Sequence, residues 1–275
     1  MPASKAAVIQ MTTGADRDAN LDAAAGLLRA AAAAGSRLAV LPENFAFMGL
    51  RDTDKLALAE ADGTGPIQGF LAQSARALGL WIVGGTIPLV VPGDASRVYA
   101  ACGVWNDAGE RVARYDKIHL FDVELPDGRN ERYRESASIA PGALNPVVVD
   151  TPIGRLGLSV CYDLRFPELY RALTLAGAEV LCVPSAFTER TGAAHWDLLL
   201  RARAVENLCH VLASNQCGTH AGGRRTWGHS CIVEPWGEVS AACAGEPGIA
   251  VAELDAQRCA AQRRSFPVLD HRRLS

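Results

Sequence analysis

Residues 157–173 read GLSVCYDLRFPELYRAL, and this stretch determines the fold that we predict for the chain. The apolar run 157–160 is typical of a buried strand, and the segment 163–173 is typical of a helix. Cys161 lies at the junction between them. A thiol held on a turn near the N-terminal end of a helix is close to exposed backbone N–H groups, which favour the nucleophilic thiolate. We therefore expect Cys161 to be reactive, although most cysteines in proteins are buried and inert.

Two further polar residues, Glu43 and Lys117, also occur where predicted strands end. Glu43 follows the apolar run 38–42, and Lys117 stands between the segments 115–116 and 118–121. Because an unpaired charge among apolar neighbours is costly, each of the two is expected to have a partner. A carboxylate, an ammonium group and a thiol are the groups that attack on a carbonyl and stabilisation of an oxyanion require.

Strand-like and helix-like segments alternate along the chain, which predicts an α/β architecture with a mixed sheet. The predicted helices span 21–34 (begun by Asn20 and ended by Gly35), 66–78, 167–176 and 195–207. The predicted strands span 38–41, 81–91, 98–105, 156–162, 180–184, 211–216, 230–234 and 249–254. We find no internal repeat and no linker, so residues 1–275 are expected to form a single domain.

Composition is typical of an enzyme of the cytoplasm. The chain has 275 residues and a net charge of -3, which predicts no affinity for nucleic acid or membrane surfaces. The first residues lack the apolar stretch of a secretory signal. The longest uncharged apolar stretch, 80–92, is shorter than the roughly 18 residues that a membrane-spanning helix needs.

Neither a metal nor a cofactor is predicted. The eight cysteines include no closely spaced ligand pair, so we expect one chemical and seven structural thiols in a reducing compartment. The glycine-rich segment 63–69 lacks the preceding strand and the glycine spacing of a dinucleotide-binding loop. It is interpreted as a turn into a helix that begins at Pro66.

Taken together, the motifs resemble those of the nitrilase superfamily, the thiol-dependent carbon–nitrogen hydrolases. The resemblance extends from residue 7 to residue 273. The segments that carry it are LPEN at 41–44, YDKIHL at 115–120, CYDLRFPEL at 161–169, HW at 195–196, RARAVEN at 201–207, WGHS at 227–230 and PWG at 235–237.

The resemblance implies a four-layer α-β-β-α sandwich and a homodimer that pairs through helices near the nucleophile. It also implies that Cys161 is the nucleophile, that Glu43 is the general base, and that Lys117 stabilises the oxyanion together with the backbone N–H of Tyr162. A second glutamate of the family matches Glu135, at the end of the charged segment 122–135. That segment is interpreted either as a solvated loop or as a border of the active-site mouth.

The predicted reaction is hydrolysis of a small anionic amide through a cysteine thioester, with release of the amine product. The segments 216–220 and 266–273 are most similar to the deaminated glutathione amidase branch. An ω-amidase acting on α-ketoglutaramate or α-ketosuccinamate remains an alternative, as does a non-catalytic thiol-binding protein on the same fold.

Substrate-binding residues are predicted from charge and from the motifs. A long, multiply anionic substrate calls for cations beyond the catalytic lysine, and guanidinium groups bind carboxylates well. Tyr162, Arg165, His195 and Trp196 are the predicted substrate-binding residues. The other candidate arginines are Arg129, Arg132, Arg134, Arg224 and Arg225.

Overall fold

Strands and helices alternate throughout the two ranges that the computed structural model describes, residues 4–124 and 132–273. The strands of these ranges are β1 (Ser4–Gln10), β2 (Ser36–Val40), β3 (Trp81–Val83), β4 (Ile87–Val91), β5 (Asp94–Trp105), β6 (Arg111–Asp116), β7 (Asp122–Glu124), β8 (Arg132–Arg134), β9 (Ile139–Ala140), β10 (Val148–Thr151), β11 (Gly154–Leu158), β12 (Val180–Ser185), β13 (His210–Asn215), β14 (Cys217–Thr219), β15 (Arg225–Trp227), β16 (Cys231–Val233), β17 (Val239–Ala242) and β18 (Gly248–Leu254). The α-helices are α1 (Arg17–Ala33), α2 (Pro66–Leu78), α3 (Pro167–Leu175), α4 (Glu189–Asn207) and α5 (Ala256–Ser265). Short 3-10 helices span Asp52–Leu58, Glu135–Ala137 and Cys161–Arg165.

The strands form two main sheets, each with parallel pairs at its centre and antiparallel pairs towards its edges. The first sheet has the order β18-β1-β2-β3-β5-β4, with β6 and β9 also paired with β5. The second has the order β10-β11-β12-β13-β16-β17. Strands β1, β2 and β3 run parallel, as do β11, β12 and β13. The predicted mixed α/β architecture is confirmed.

Alternating side chains of β1 show how the layers are arranged. Ala6 and Val8 belong to a buried cluster that also contains Leu158 of the second sheet, so this face of the strand packs between the sheets. Ala7 and Ile9 point to the opposite face and pack with residues of α1 and α2. Helices α3 and α4 contact β11 and β13 of the second sheet. The resulting order of helices, sheet, sheet and helices is the α-β-β-α sandwich that the resemblance implies.

Helix α1 begins earlier than predicted, because Asp16 rather than Asn20 is its N-cap. The Asp16 side chain accepts hydrogen bonds from the backbone N–H groups of Asp18 and Ala19. Asn20 lies within the helix and is buried, where its amide nitrogen donates to the carbonyl of Ala46 at 3.0 Å. The prediction of Asn20 as the N-cap was wrong. An asparagine in the sequence is compatible both with capping a helix and with a buried hydrogen bond to a loop, and here it makes the second.

Helix α4 also begins earlier than its predicted start at residue 195. Thr188 is its N-cap and accepts a hydrogen bond from the backbone N–H of Thr191. Helix α2, in contrast, spans the predicted residues 66–78 and begins at Pro66.

Candidate active site

Glu43, Lys117 and Cys161 lie together, each just beyond the end of a strand. Glu43 follows β2, Lys117 follows β6 and Cys161 follows β11. Since β2 and β6 belong to the first sheet and β11 to the second, the three side chains meet where the ends of the two sheets come together. All three line one cavity of about 560 Å³. The groups that were associated on chemical grounds are therefore neighbours in space.

Lys117 is a buried cation held between two carboxylates. Its Nζ donates hydrogen bonds of 2.8 Å to Oε1 of Glu43 and 2.8 Å to Oε1 of Glu135. Burial alone would lower the pKa of Lys117, but the two carboxylates outweigh it and raise that pKa well above its ordinary value. Burial would likewise raise the pKa of Glu43, but the charge and hydrogen bond of Lys117 bring it below its ordinary value. The site therefore holds a permanently charged ammonium group and a carboxylate in its basic form.

Glu135 is fixed in place by the backbone as well as by Lys117. Its Oε2 accepts a hydrogen bond of 2.7 Å from the backbone N–H of Phe121. Phe121 immediately precedes β7, and Glu135 immediately follows β8, so the antiparallel pairing of β7 with β8 brings the two residues together. Glu135 lies beside Lys117, as its match to the second family glutamate implies.

The chain turns sharply at Cys161 rather than continuing as a strand. Strand β11 ends at Leu158, whereas the sequence predicted a strand to Tyr162. Cys161 has a φ of +48°, in the left-handed region that only a small fraction of non-glycine residues adopt. It begins the short 3-10 helix that precedes α3. This turn directs the thiol into the cavity.

The surroundings of Cys161 raise the pKa of its thiol, whereas the sequence predicted surroundings that favour the thiolate. Burial is the largest influence and raises its pKa well above the ordinary value, and the negative charge of Glu43 raises it further. Lys117 and the backbone N–H of Ala186 oppose this shift but do not cancel it. Glu43 lines the same cavity as Cys161, and its charge acts on the thiol, so a carboxylate base lies near the thiol proton.

Asp163 supports the turn and was not predicted as a functional residue. Its Oδ2 accepts hydrogen bonds from Tyr115 Oη at 2.7 Å and from the backbone N–H of Val160 at 2.8 Å. Its Oδ1 lies 2.7 Å from Nδ1 of His119. The carboxylate thus connects the residue before Cys161 to the segment that carries Lys117. Asp163 is completely buried, and a buried carboxylate requires several hydrogen-bond donors. Its role therefore follows from the structure and not from the sequence.

Arg165 and Tyr162, two of the predicted substrate-binding residues, line the cavity. The Arg165 guanidinium lies 5.8 Å from the ring centroid of Tyr162 and 5.5 Å from that of Phe187. Its Nη1 is 3.3 Å from Nδ1 of His195. The arrangement places a cation among aromatic rings at the cavity wall.

His195 and Trp196 are not among the residues that line this cavity. His195 is exposed on α4 and contacts Arg165, while burial and the charge of Arg165 lower its pKa. Trp196 is buried against Phe187, and its Nε1 donates to the carbonyl of His229 at 2.8 Å. Trp196 therefore packs behind Phe187 of the cavity wall, and His195 lies behind Arg165.

Two other cations, Arg224 and Lys55, line the cavity. Arg224 belongs to the arginines named from the sequence, whereas Lys55 was missed. Lys55 lies in the 3-10 helix Asp52–Leu58, a segment whose sequence carries no motif.

The remaining candidate arginines are placed less favourably for binding. Arg225 is exposed and forms an ion pair of 2.6 Å with Glu189. Arg132 and Arg134 are exposed on β8, where Arg132 lines a neighbouring cavity rather than the one that contains Cys161. Arg129 lies outside the described residues.

Among residues 4–124 and 132–273, no group of histidine, cysteine, aspartate or glutamate side chains has the arrangement of a metal site. Nor do these two stretches of the chain contain a helix that is long and apolar enough to cross a membrane.

Comparisons with known proteins agree on one family. The carbon–nitrogen hydrolase family matches residues 5–264. A deaminated glutathione amidase of Synechocystis sp. is 44% identical over 268 residues, which cover 97% of this chain and 97% of that protein. The human deaminated glutathione amidase is 44% identical over 269 residues, which cover 97% of this chain and 81% of that protein.

Solved structures show the same likeness. Saccharomyces cerevisiae Nit3, described as a member of branch 10 of the nitrilase superfamily, has a TM-score of 0.87 and 30% identity, covering 99% of this chain and 97% of that chain. An amidase from Nesterenkonia sp., in which acrylamide has added to the active-site cysteine, has a TM-score of 0.78 and 29% identity, covering 96% of this chain and 98% of that chain.

Proposed function

The chain belongs to the carbon–nitrogen hydrolase family, and from that premise we propose that Cys161, Glu43, Lys117 and Glu135 hydrolyse an amide through a thioester. The chain is an enzyme that acts on amides, which sets aside the alternative of a non-catalytic thiol-binding protein. The observation that carries the proposal is that Cys161, Glu43, Lys117 and Glu135 line one cavity, in which Lys117 Nζ donates a hydrogen bond of 2.8 Å to each carboxylate.

Acylation begins when Glu43 removes the proton from Cys161 while the sulfur attacks the amide carbonyl carbon. The carbonyl oxygen becomes an oxyanion, which Lys117 Nζ and the backbone N–H of Tyr162 stabilise. Glu43 then gives its proton to the amide nitrogen, the C–N bond breaks and the amine leaves. The acyl group remains on the sulfur as a thioester.

Deacylation uses the same groups, with water in place of the thiol as the attacking nucleophile. Glu43 takes a proton from water as the water oxygen attacks the thioester carbonyl, and Lys117 again stabilises the oxyanion. The C–S bond breaks, the carboxylic acid leaves and the thiolate regains its proton from Glu43. Glu135, which shares Lys117 with Glu43 and is fixed by Phe121, keeps the ammonium group in place.

The proposed substrate is deaminated glutathione, the keto acid that results when the amino group of glutathione is replaced by a carbonyl. Relatives that bear this activity in their names are 44% identical to the chain over nearly its whole length. The cavity wall also offers Lys55, Arg165 and Arg224 to a substrate with two carboxylates.

Comparison of substrates on the purified protein tests this choice. Hydrolysis of deaminated glutathione, followed as release of α-ketoglutarate and cysteinylglycine, should exceed that of α-ketoglutaramate in kcat/KM. The Cys161→Ala protein is the matched control for background hydrolysis. Equal or higher efficiency on α-ketoglutaramate would favour an ω-amidase instead.

The proposal includes a homodimer that pairs through the helices after the nucleophile. Leu175 on α3 and Leu198 on α4 are 64% and 67% exposed, and Val205 on α4 is also exposed. Apolar side chains grouped on a surface are typical of an interaction site. A sedimentation mass near 29.1 kDa at micromolar concentration would exclude the dimer.

A cytoplasmic location is also proposed. All eight cysteines are free, and free thiols persist in a reducing compartment. Cell fractionation with an antibody against the protein tests this, and recovery with an extracytoplasmic fraction would contradict it.

A further inference from the structure

A second cavity, of about 970 Å³, adjoins the one that contains Cys161. The two cavities share part of their walls, namely Asn44, Asp52, Lys55, Tyr133 and Arg224. The described lining of the second cavity includes none of the four groups that carry the proposed chemistry. It therefore offers space for a part of the substrate that lies away from the reacting carbonyl.

The shared wall carries two cations that lack a carboxylate partner among residues 4–124 and 132–273. Lys55 is half-buried and forms no ion pair there, although nearby Arg51 is paired with Asp54. Arg224 likewise forms no ion pair there, whereas its neighbour Arg225 is paired with Glu189. The charge of Arg224 acts on Glu43, but neither cation has a carboxylate in direct contact among these residues, and an anionic ligand would supply one.

The contacts of Arg224 hold its guanidinium group in one orientation and leave some of its hydrogen-bond donors unused. Its Nη2 donates to the carbonyl of Ala186 at 2.8 Å, and its guanidinium lies 5.4 Å from the ring centroid of Tyr133. Its Nε is buried, and neither Nε nor Nη1 has a hydrogen-bond partner among residues 4–124 and 132–273. A guanidinium group that is held at one edge and unsatisfied at another is prepared to bind a carboxylate.

Ala186 also relates Arg224 to the nucleophile. Ala186 and Cys161 both line the first cavity, the backbone N–H of Ala186 lowers the pKa of the Cys161 thiol, and the carbonyl of Ala186 accepts from Arg224. One residue thus separates the thiol from the guanidinium. Two extended residues span about 7 Å, so a dipeptide that starts at the scissile nitrogen can extend past this residue.

We propose that Lys55 and Arg224 bind the C-terminal carboxylate of the peptide leaving group, with the second cavity holding the end of that peptide. This inference rests on the proposed function, because it assigns a position to the amine half of its substrate. The acyl half must stay beside Cys161 and Lys117 until water attacks, whereas the amine half has to leave after acylation. A chamber that lacks the catalytic groups suits the half that leaves.

The test compares deaminated glutathione with its glycine-amide derivative, in which the terminal carboxylate is neutralised. Arg224→Gln should reduce kcat/KM for deaminated glutathione at least about tenfold more than for the amide derivative, mainly through KM, because charge-assisted hydrogen bonds are the strong ones. Lys55→Met should act in the same direction with a smaller effect. Arg225→Gln is the matched control, since that arginine lies outside both cavities and should give equal ratios.

Two results would overturn the assignment. If Arg224→Gln reduced kcat/KM equally for both substrates, Arg224 would act on Glu43 or on folding. Activity retained by Arg224→Lys would not support the proposal in that case. N-butanoyl-cysteinylglycine keeps the peptide carboxylate but lacks the keto acid. If Arg224→Gln did not reduce kcat/KM for this substrate, the site would bind the acyl half.

Binding to the Cys161→Ala protein separates this inference from the proposed function. Cysteinylglycine should bind that protein more tightly than cysteinylglycine amide, and Arg224→Gln should abolish the difference in calorimetry. If deaminated glutathione is not hydrolysed but this difference is found, the proposed function fails and the carboxylate site stands. If it is hydrolysed and the difference is absent, only the carboxylate site fails.

Discussion

Lys117 Nζ and Glu43 Oε1 lie 2.8 Å apart, with the two side chains only 1% and 4% exposed. An ion pair this deeply enclosed is of little use for stability by itself, because desolvation offsets much of its attraction. Its consequence is chemical. Lys117 lowers the pKa of the buried Glu43 and so favours its ionised, basic form, and Glu43 lines the same cavity as the thiol of Cys161.

Replacing either member of this pair should remove activity by a different route. Glu43→Gln retains the shape but not the base, and we expect kcat to fall by about 10²–10⁴-fold. Lys117→Ala removes the oxyanion donor, which costs about 10²–10³-fold, and leaves two carboxylates facing each other. Single-turnover kinetics with wild type as reference checks both. Retention of more than a tenth of wild-type turnover in a folded variant would contradict the assigned role.

Activity should depend on pH through Glu43 rather than through a free thiolate. The lowered pKa of Glu43 means that kcat/KM should fall only when pH drops below the ordinary carboxylate value of about 4.3. The raised pKa of Cys161 means that no increase should occur near the ordinary thiol value of about 8.5. A pH–rate profile checks this, and a rise centred near the ordinary thiol pKa would show that the thiolate reacts without Glu43.

The pKa shifts of Glu43 and Lys117 make the stability of the fold depend on pH. Glu43, whose pKa is lowered on folding, stabilises the fold above its unfolded pKa, and the contribution is lost as pH falls through the folded value. Lys117, whose pKa is raised, stabilises the fold below its unfolded pKa, and the contribution is lost as pH rises through the folded value. Urea unfolding of wild type and Glu43→Gln should therefore differ in pH dependence below about pH 4.

Alkylation should report on the contact between Cys161 and Glu43. Iodoacetamide should inactivate the enzyme by labelling Cys161 before Cys243, the one free cysteine of the chain that is not buried. Because the Cys161 thiol is neutral, Glu43→Gln should slow this labelling and leave that of Cys243 unchanged. Peptide mass spectrometry at short times distinguishes the two sites. Faster labelling of Cys161 in Glu43→Gln would indicate that Glu43 suppresses rather than assists the nucleophile.

Asp163→Asn should impair positioning of the nucleophile. The carboxylate accepts from Tyr115 and from the backbone N–H of Val160, and an amide nitrogen at either oxygen position would face a donor. We expect kcat to fall more than KM changes, together with slower alkylation of Cys161. Tyr115→Phe, which removes one donor, should give a milder form of both effects. An Asp163→Asn protein with lowered thermal stability but normal alkylation would limit Asp163 to a structural role.

Positions of the catalytic groups could be predicted from sequence because each has a local signal. Glu43 and Cys161 follow apolar runs, Lys117 stands between the segments 115–116 and 118–121, and the chemistry of the three groups is complementary. The protonation state of Cys161 could not be predicted in this way. Its pKa depends on burial and on the charge of Glu43, which is distant in sequence and close only in the folded chain.

Other errors arose where one local pattern fits two environments. Asn20 has the side chain of a helix cap but is used to bind the loop residue Ala46. Trp196 lies in a motif next to His195, yet it faces the core, because consecutive helix residues point in different directions. Lys55 had no signal at all, since its place on the cavity wall depends on tertiary packing.

Substitutions at Arg165 should separate charge from packing at the cavity wall. The guanidinium lies between the rings of Tyr162 and Phe187, so it combines a charge for the substrate with contacts that order the wall. Arg165→Ala should lower kcat/KM for anionic amides by about 10–100-fold, as expected when a hydrogen bond to a charged group is lost. Arg165→Lys retains the charge but not the planar group and should recover part of the loss.

The neighbouring histidine provides the control for this prediction. His195 is largely exposed, and partial burial and the charge of Arg165 lower its pKa. Its Nδ1 lies 3.3 Å from Nη1 of Arg165, which lines the cavity. His195→Ala should therefore reduce kcat/KM only slightly, and by the same factor for anionic and neutral amides. If His195→Ala were as severe as Arg165→Ala and equally selective for anions, the histidine would have to contact the substrate itself. A neutral amide that suffers as much from Arg165→Ala as an anionic one would instead assign Arg165 to ordering the aromatic wall, because loss of a charge contact cannot affect a substrate that has no charge.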